Sequence, residues 1–334
     1  MSYATRYATK LAGLIAGLVL SASAFAQGAP LKELKVDYAY YSPSSLVIKR
    51  KGWLEEEFKG TDVKWVLSAG SNRALEYLNS GAIDVGSTAG LAAVLSRANG
   101  NPIKAVYIFS RPEWTALVVP KDSPIKSLKD LKGKKVAATK GTDPYLFLLR
   151  SLHTVGLKKS DIEHVNLQHA DGRVALAQKN VDAWAGLDPF MAASEIEDGA
   201  KLIYRNVAFN TYGFLNASES FYSKNPNELK RVIKVYEKAR AWIQQNPVEA
   251  AKILSEEAKL PLGVALLQLK ERTDFSNPQP GKEHIDALRA AAPILLEEEL
   301  VKPGTDLNKV IGDLVDANFA KSVIATKADP RKLP

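Results

Sequence analysis

An α/β fold with two doubly wound domains is predicted by three features of this 334-residue sequence. Short strand-like runs alternate with amphipathic helical runs. The joints are short polar loops of glycine, serine and asparagine. The same order of strand, polar turn and helix start recurs in a second block after residue 134. Once an N-terminal leader is set aside about 300 residues remain, more than one hydrophobic core comfortably serves.

Residues 35–40 alternate as a strand, and Ser42-Pro43-Ser44 then offers a helix cap with proline at the first helical position, opening a helix that runs to Phe58. Residues 62–67 form a second strand. Ala69-Gly70-Ser71-Asn72 turns into a helix carrying Leu75 and Leu78, closed by Gly81. A third strand over residues 83–86 ends in the loop Ser87-Thr88-Ala89-Gly90, with a helix over residues 91–98. Strands joined this way are expected to be parallel, and the crevice at their carboxyl ends is where such sheets hold ligands.

The texture changes over residues 116–120. A new strand over residues 135–139 leads through Lys140-Gly141-Thr142-Asp143-Pro144-Tyr145 into a helix. A strand over residues 164–167, a helix over residues 174–179 and the run Val181-Asp182-Ala183-Trp184-Ala185-Gly186 complete this block. From Phe214 onward amphipathic helices dominate, one starting at Asn225-Pro226 and continuing through Trp242, the next at Asn246-Pro247. Their apolar residues are assigned to core packing.

Arg6 and Lys10, the apolar residues 11–20 and Ala24-Phe25-Ala26 form a signal peptide cleaved near Ala26. The apolar run is too short to cross about 30 Å of hydrocarbon. There is no cysteine, so neither a disulfide nor a lipid anchor is available, which fits a soluble periplasmic protein. The basic surplus of 8 falls to 6 without Arg6 and Lys10. Export sets nucleic acid aside, and a mild positive field favours anionic ligands.

Enzymatic signatures are missing. The four histidines form no HExxH, and no GxSxG, GxGxxG or P-loop occurs, so neither a metal nor any other cofactor is expected. His164 and His169 flank a strand end and read as surface residues.

Four segments resemble the substrate-binding proteins of sulfonate, taurine and nitrate ABC importers. They are residues 81–86 (GAIDVG), 133–145 (GKKVAATKGTDPY), 184–189 (WAGLDP) and 212–215 (YGFL); the second and third together look like the aliphatic-sulfonate branch. The resemblance spans the whole mature chain. It implies a type II periplasmic binding protein with two lobes and two chain crossovers, near residues 118–121 and 210–214. The first lobe would be residues 27–118 plus 214–334, the second residues 119–213. It further implies an alkanesulfonate ligand trapped between lobes, delivery to the membrane permease of an ABC importer, and a monomer. Nitrate, taurine or a thiamine-pyrimidine precursor are alternative ligands. A thiamine-pyrimidine-synthase-like enzyme, needing a reactive histidine and pyridoxal phosphate, is the rival that the signal peptide argues against.

A sulfonate stays ionised and only accepts hydrogen bonds, so its site wants donors: helix N-termini and hydroxyls. The candidates are Ser42 and Ser44; Gly70, Ser71 and Asn72; Ser87, Thr88 and Ala89; and Gly141 and Thr142. Each hydroxyl could instead cap its own helix. Asp143 would repel an anion and is assigned to capping before Pro144, while Lys140 is either a compensating charge or an ordinary strand-end lysine. Trp114, Tyr145, Trp184 and Tyr212 are candidates for the apolar wall, with Tyr40 and Tyr41 beside the first loop. Asp188 either pairs across the hinge or meets an amine on the ligand. Arg50, Lys51, Glu55 and Glu56 are either a solvated helix face or a permease contact.

Overall fold

The structure, a computed structural model, describes residues 31–324; the leader and its cleavage site lie outside them. Eleven strands occur among the described residues: β1 (Glu33–Tyr38), β2 (Asp62–Leu67), β3 (Val85–Ala89), β4 (Ile103–Pro112), β5 (Leu117–Val119), β6 (Lys135–Ala137), β7 (Glu163–Val165), β8 (Ala183–Ala185), β9 (Lys201–Tyr204), β10 (Gly213–Ser218) and β11 (Thr273–Asp274). They form a six-stranded sheet in the order β11-β4-β10-β3-β1-β2 and a five-stranded sheet in the order β7-β6-β8-β5-β9.

β1 runs parallel to β2 and β3, with Val36 opposite Trp65 and Val85, and β6 runs parallel to β7 and β8. β10 is antiparallel to β3 and β4, and β5 to β8 and β9. β5 and β10 are the first strands laid down after the chain crosses from one sheet to the other, so they enter from the opposite end. Wholly parallel sheets were the expectation; both are mixed for this reason.

The crossings run through residues 113–116 and 205–212. The first lies a few residues ahead of the expected 118–121, because Val118 already pairs with Trp184 and Leu202 in the five-stranded sheet. An apolar run such as Leu117-Val118-Val119 announces a strand but not which sheet will accept it.

Local chemistry sets most of the elements. In the helix Ser71–Ser80 the buried residues Ala74, Leu75 and Leu78 form one stripe, while Arg73, Glu76 and Asn79 face water. The helix stops at Gly81, whose φ of 72° is left-handed and whose N–H returns to the Leu78 carbonyl. Gly52, at φ 64°, divides the expected helix over residues 43–58 into Pro43–Lys51 and Trp53–Glu57. The helices Pro226–Gln245 and Pro247–Ala258 begin where Asn-Pro pairs place them. β3 departs from expectation: it extends through Ala89, and the helix Gly90–Ala98 follows with no loop between. All five β3 residues are buried, because the helix Ser71–Ser80 covers the strand and β1 and β10 flank it.

Gly90 is required where it stands. Its N–H bonds the Thr211 and Tyr212 carbonyls, and a Cβ there would lie 2.4 Å from the Thr211 oxygen and 2.5 Å from the Phe214 ring. Backbone cannot give way as a flexible side chain can. Gly90→Ala is therefore expected to lower the unfolding free energy by about 1–3 kcal/mol, seen as a lower urea midpoint at unchanged slope.

Candidate functional site

The carboxyl ends of β1, β2 and β3 and those of β6 and β8 carry the loops at which the two sheets' segments meet. Gly70, before the helix Ser71–Ser80, lies against the His169 ring: a Cβ at Gly70 would be 2.8 Å from His169 Nε2. Gly141, with φ of 76°, lies against Asn72, at 3.4 Å by the same measure. Tyr40 meets Phe190 edge-on with ring centres 6.3 Å apart. Thus the Gly70-Ser71-Asn72 and Gly141-Thr142 loops are brought together, and both open helices whose first amides have no intrahelical acceptor.

The first loop is folded around β3. Ser42 is buried and its hydroxyl accepts from Ser87 Oγ at 3.2 Å, so it does not cap the helix Pro43–Lys51. Tyr41 Oη donates to the Ser87 carbonyl, and the Ser87 amide donates to Asp37 Oδ1 at 2.9 Å. Ser44, the second residue of the helix Pro43–Lys51, is buried with no partner for its hydroxyl. An unpartnered buried donor costs about 1–3 kcal/mol unless something outside the protein accepts from it. Ser71 Oγ accepts from the Ala89 amide at 3.0 Å and keeps its own proton to donate. Asn72 Oδ1 is also without a partner.

Several candidates are engaged elsewhere. Thr88 donates to the Ala89 carbonyl and accepts from Asn216 of β10, and the Ala89 amide is bound to Ser71, so neither has a donor left: β3 continues through them and turns them into the sheet. Thr142 gives its hydroxyl proton to the Thr139 carbonyl at 2.6 Å, leaving only its backbone. Tyr145 packs on His164, ring centres 4.9 Å apart, inside the five-stranded half. Tyr212, at φ 62°, packs on His284 of the helix Lys282–Ala291. Trp184 is fully buried among Ala137, Leu176 and Met191, which makes it core; its indole N–H, against Gly172, has no partner. Arg50 pairs with Glu256, Glu55 accepts from Trp65, and Glu56 pairs with Lys238, so these charges brace neighbouring elements of the chain.

The crossings are fastened by Asp143. Its carboxylate accepts from Trp114 Nε1 at 3.0 Å, from the Thr211 amide at 3.0 Å and from Thr211 Oγ1 at 2.7 Å. Burial pushes this carboxyl up, and the three donors together with Arg150 pull it back. The expected structural role holds, but the partners are the two crossings and not the residue's own helix. Trp114 accordingly stacks on Tyr41 and Phe109 with its N–H already used. Asp188, whose peptide bond to Pro189 is cis, pairs with Arg272 at 3.2 Å and accepts from the Ala192 amide. Burial pushes its carboxyl up to about 7 against the pull of Arg272. Arg272 also holds Glu195. Sequence reasoning missed Arg272 and Asp37, which no local motif singles out, and it read His169 as a surface residue, whereas the ring is buried against Gly70 of the other half. Among the described residues no group of side chains could hold a metal ion.

Two outcomes follow. Asp143→Ala strands the buried Trp114 and Thr211 donors and is expected to destabilise the fold by about 3 kcal/mol or more, measured by urea unfolding. Asp37 is fully buried, and desolvation pushes its carboxyl up to about 7 against the hydrogen bond from the Ser87 amide. Between pH 4 and pH 7 the folded state holds this proton while the unfolded chain has lost it. Stability from this group is complete in acid and falls as pH rises, by about 1.4 kcal/mol per pH unit for one proton. Asp37→Asn should remove that slope, leaving a visibly flatter plot of unfolding free energy against pH.

Comparison with known proteins places this geometry. The family model described as NMT1/THI5 like matches residues 42–250. A protein of Escherichia coli (strain K12) named for aliphatic-sulfonates binding is 32% identical over 297 residues, 88% of this chain and 93% of its own length. The alkanesulfonate-binding protein SsuA from Xanthomonas axonopodis pv. citri, bound to MOPS, superposes with a TM-score of 0.78 at 26% identity, over 86% of this chain and 99% of that one. The periplasmic aliphatic sulphonate binding protein SsuA from Escherichia coli gives 0.71 at 29%, over 84% and 91%. These relatives are binding proteins and not enzymes, and they share the mixed α/β architecture of two sheets. With more than half of its residues matched by the family model, the chain belongs to the NMT1/THI5-like family.

Proposed function

We propose that this protein is the periplasmic solute-binding component of an ABC importer, capturing aliphatic sulfonates between two lobes. The lobes correspond to the layers around the six-stranded and five-stranded sheets, close to residues 27–118 plus 214–334 and 119–213. The chain would reach the periplasm through a signal peptide cleaved near Ala26, act as a monomer, and hand its ligand to a membrane permease.

The observation that carries this reading is the meeting of two helix N-termini, one from each half, at the Gly70-Ser71-Asn72 and Gly141-Thr142 loops, together with the buried, unpartnered hydroxyl of Ser44. Such a lining offers N–H and O–H groups to a group that accepts on every oxygen and never donates. The Ser44 hydroxyl, the first amides of the helices Ser71–Ser80 and Asp143–His153, and the Ser71 proton are the donors assigned to the sulfonate. Ser42, Gly70, Asn72, Ser87 and Gly141 shape its surroundings, with Tyr40 on the apolar side. A ligand touching both halves favours their closed arrangement through its differential affinity for it.

The test is a thermal-shift series on the refolded mature chain, with butanesulfonate, pentanoate, taurine, nitrate and a thiamine pyrimidine. Butanesulfonate should raise the melting temperature with concentration and pentanoate should not. Ser44→Ala should weaken butanesulfonate binding by about tenfold or more. A shift with nitrate or the pyrimidine alone would replace the substrate class.

A further inference from the structure

His169 is the first residue of the helix His169–Ala177 and is 1% exposed. Its Nδ1 lies 3.1 Å from Thr139 Oγ1. Thr139 gives its one hydroxyl proton to the Leu167 carbonyl at 2.6 Å, so the oxygen can only accept from the ring. Nδ1 therefore carries the imidazole proton and Nε2 is a bare lone pair. Nε2 has no hydrogen-bond partner and faces Gly70, across from its own sheet. The neutral Asn72 Oδ1 lies on the same side of Gly70.

We propose that His169 is a proton-sensitive contact between the two lobes, which close only over the neutral ring, so that acid weakens ligand capture. The inference rests on the reading that capture works by lobe closure. The charged groups around the ring offer a proton on Nε2 no counter-ion. On its own helix, Asp171 is exposed and Arg173 is tied to Glu197 and Asp198. Lys140, beyond β6, is exposed and would repel a charged ring. Arg73 and Glu76, on the facing helix, pair with each other. Asp182, leading into β8, holds the Lys135 amide. Burial alone pushes the imidazole down to about 3.

The sign follows directly. Opening exposes the ring and returns it toward about 6.5. Closure is therefore unhindered above about pH 6.5 and loses about tenfold in affinity per pH unit below it. A sulfonate does not titrate in this range. The His169→Gln variant separates this effect from other groups between the halves, among them His153 beside Glu298 and the buried Asp188 beside Arg272.

Calorimetric titration of the mature chain with butanesulfonate at pH 7.5 and pH 5.5 tests this. Wild type should bind about tenfold more weakly at pH 5.5, and His169→Gln, which cannot be charged, should show little of that loss. An equal loss in both proteins, or none in wild type, overturns the proposal. Should butanesulfonate not bind at all, the sulfonate reading fails separately, and small-angle scattering without ligand decides. The radius of gyration should rise at pH 5.5 in wild type and stay constant in His169→Gln; equal behaviour overturns the proposal. If His169→Gln does not fold, an NMR titration of the His169 ring in ligand-free wild type replaces it. Ionisation near pH 6 supports the proposal, and a ring that stays neutral to pH 4 overturns it.

Discussion

One buried carboxylate ties together the two crossings between the sheets. Asp143 stands at the first turn of the helix Asp143–His153 and binds a residue of each crossing, Trp114 from the first and Thr211 from the second. Thr115 of the first crossing bonds Asn210 of the second, and Glu113 grips Arg205 with two bonds of 2.7 Å, so the two strands of chain between the sheets behave as one joint. A carboxylate so placed also answers an electrostatic difficulty. Its negative charge, which would oppose an anion nearby, is taken up by three donors before any ligand arrives.

Around this joint the chemistry divides by layer. Beneath the loops, polar groups answer one another: Asp37 with Ser87, Ser87 with Ser42 and Tyr41, Ser71 with Ala89. This network orders the loops without contributing a fixed charge to the cleft, because burial favours the protonated form of Asp37 at neutral pH and below. Some buried groups have nothing in the protein to bind, Ser44 and Asp37 Oδ2 among them.

Contacts between the halves are chemically distinct. Gly70 against His169 needs a residue without Cβ; Asp188 with Arg272 and Glu195 is a buried polar cluster; Val264 with Ala192 and Ala193 is apolar.

The sequence by itself determined what depends on neighbours in the chain. Proline after asparagine or serine began the helices Pro43–Lys51, Pro226–Gln245 and Pro247–Ala258, Gly81 ended the helix Ser71–Ser80, and apolar alternation marked β1 and β2. The glycine-rich loops Gly70-Ser71-Asn72 and Gly141-Thr142 were legible for the same reason, and the tertiary structure does bring them together. Only the tertiary structure decided which hydroxyl stays free. Ser44 and Thr88 are alike to local propensity, yet one is left unpartnered and the other is consumed by Asn216, 128 residues away. It also decided that β5 and β10 run against their neighbours, that Trp184 is core, and that His169 is buried. Each of these turns on partners distant in sequence. Periodicity and capping report only the nearest turn of chain, whereas burial and hydrogen-bond satisfaction are properties of the folded whole.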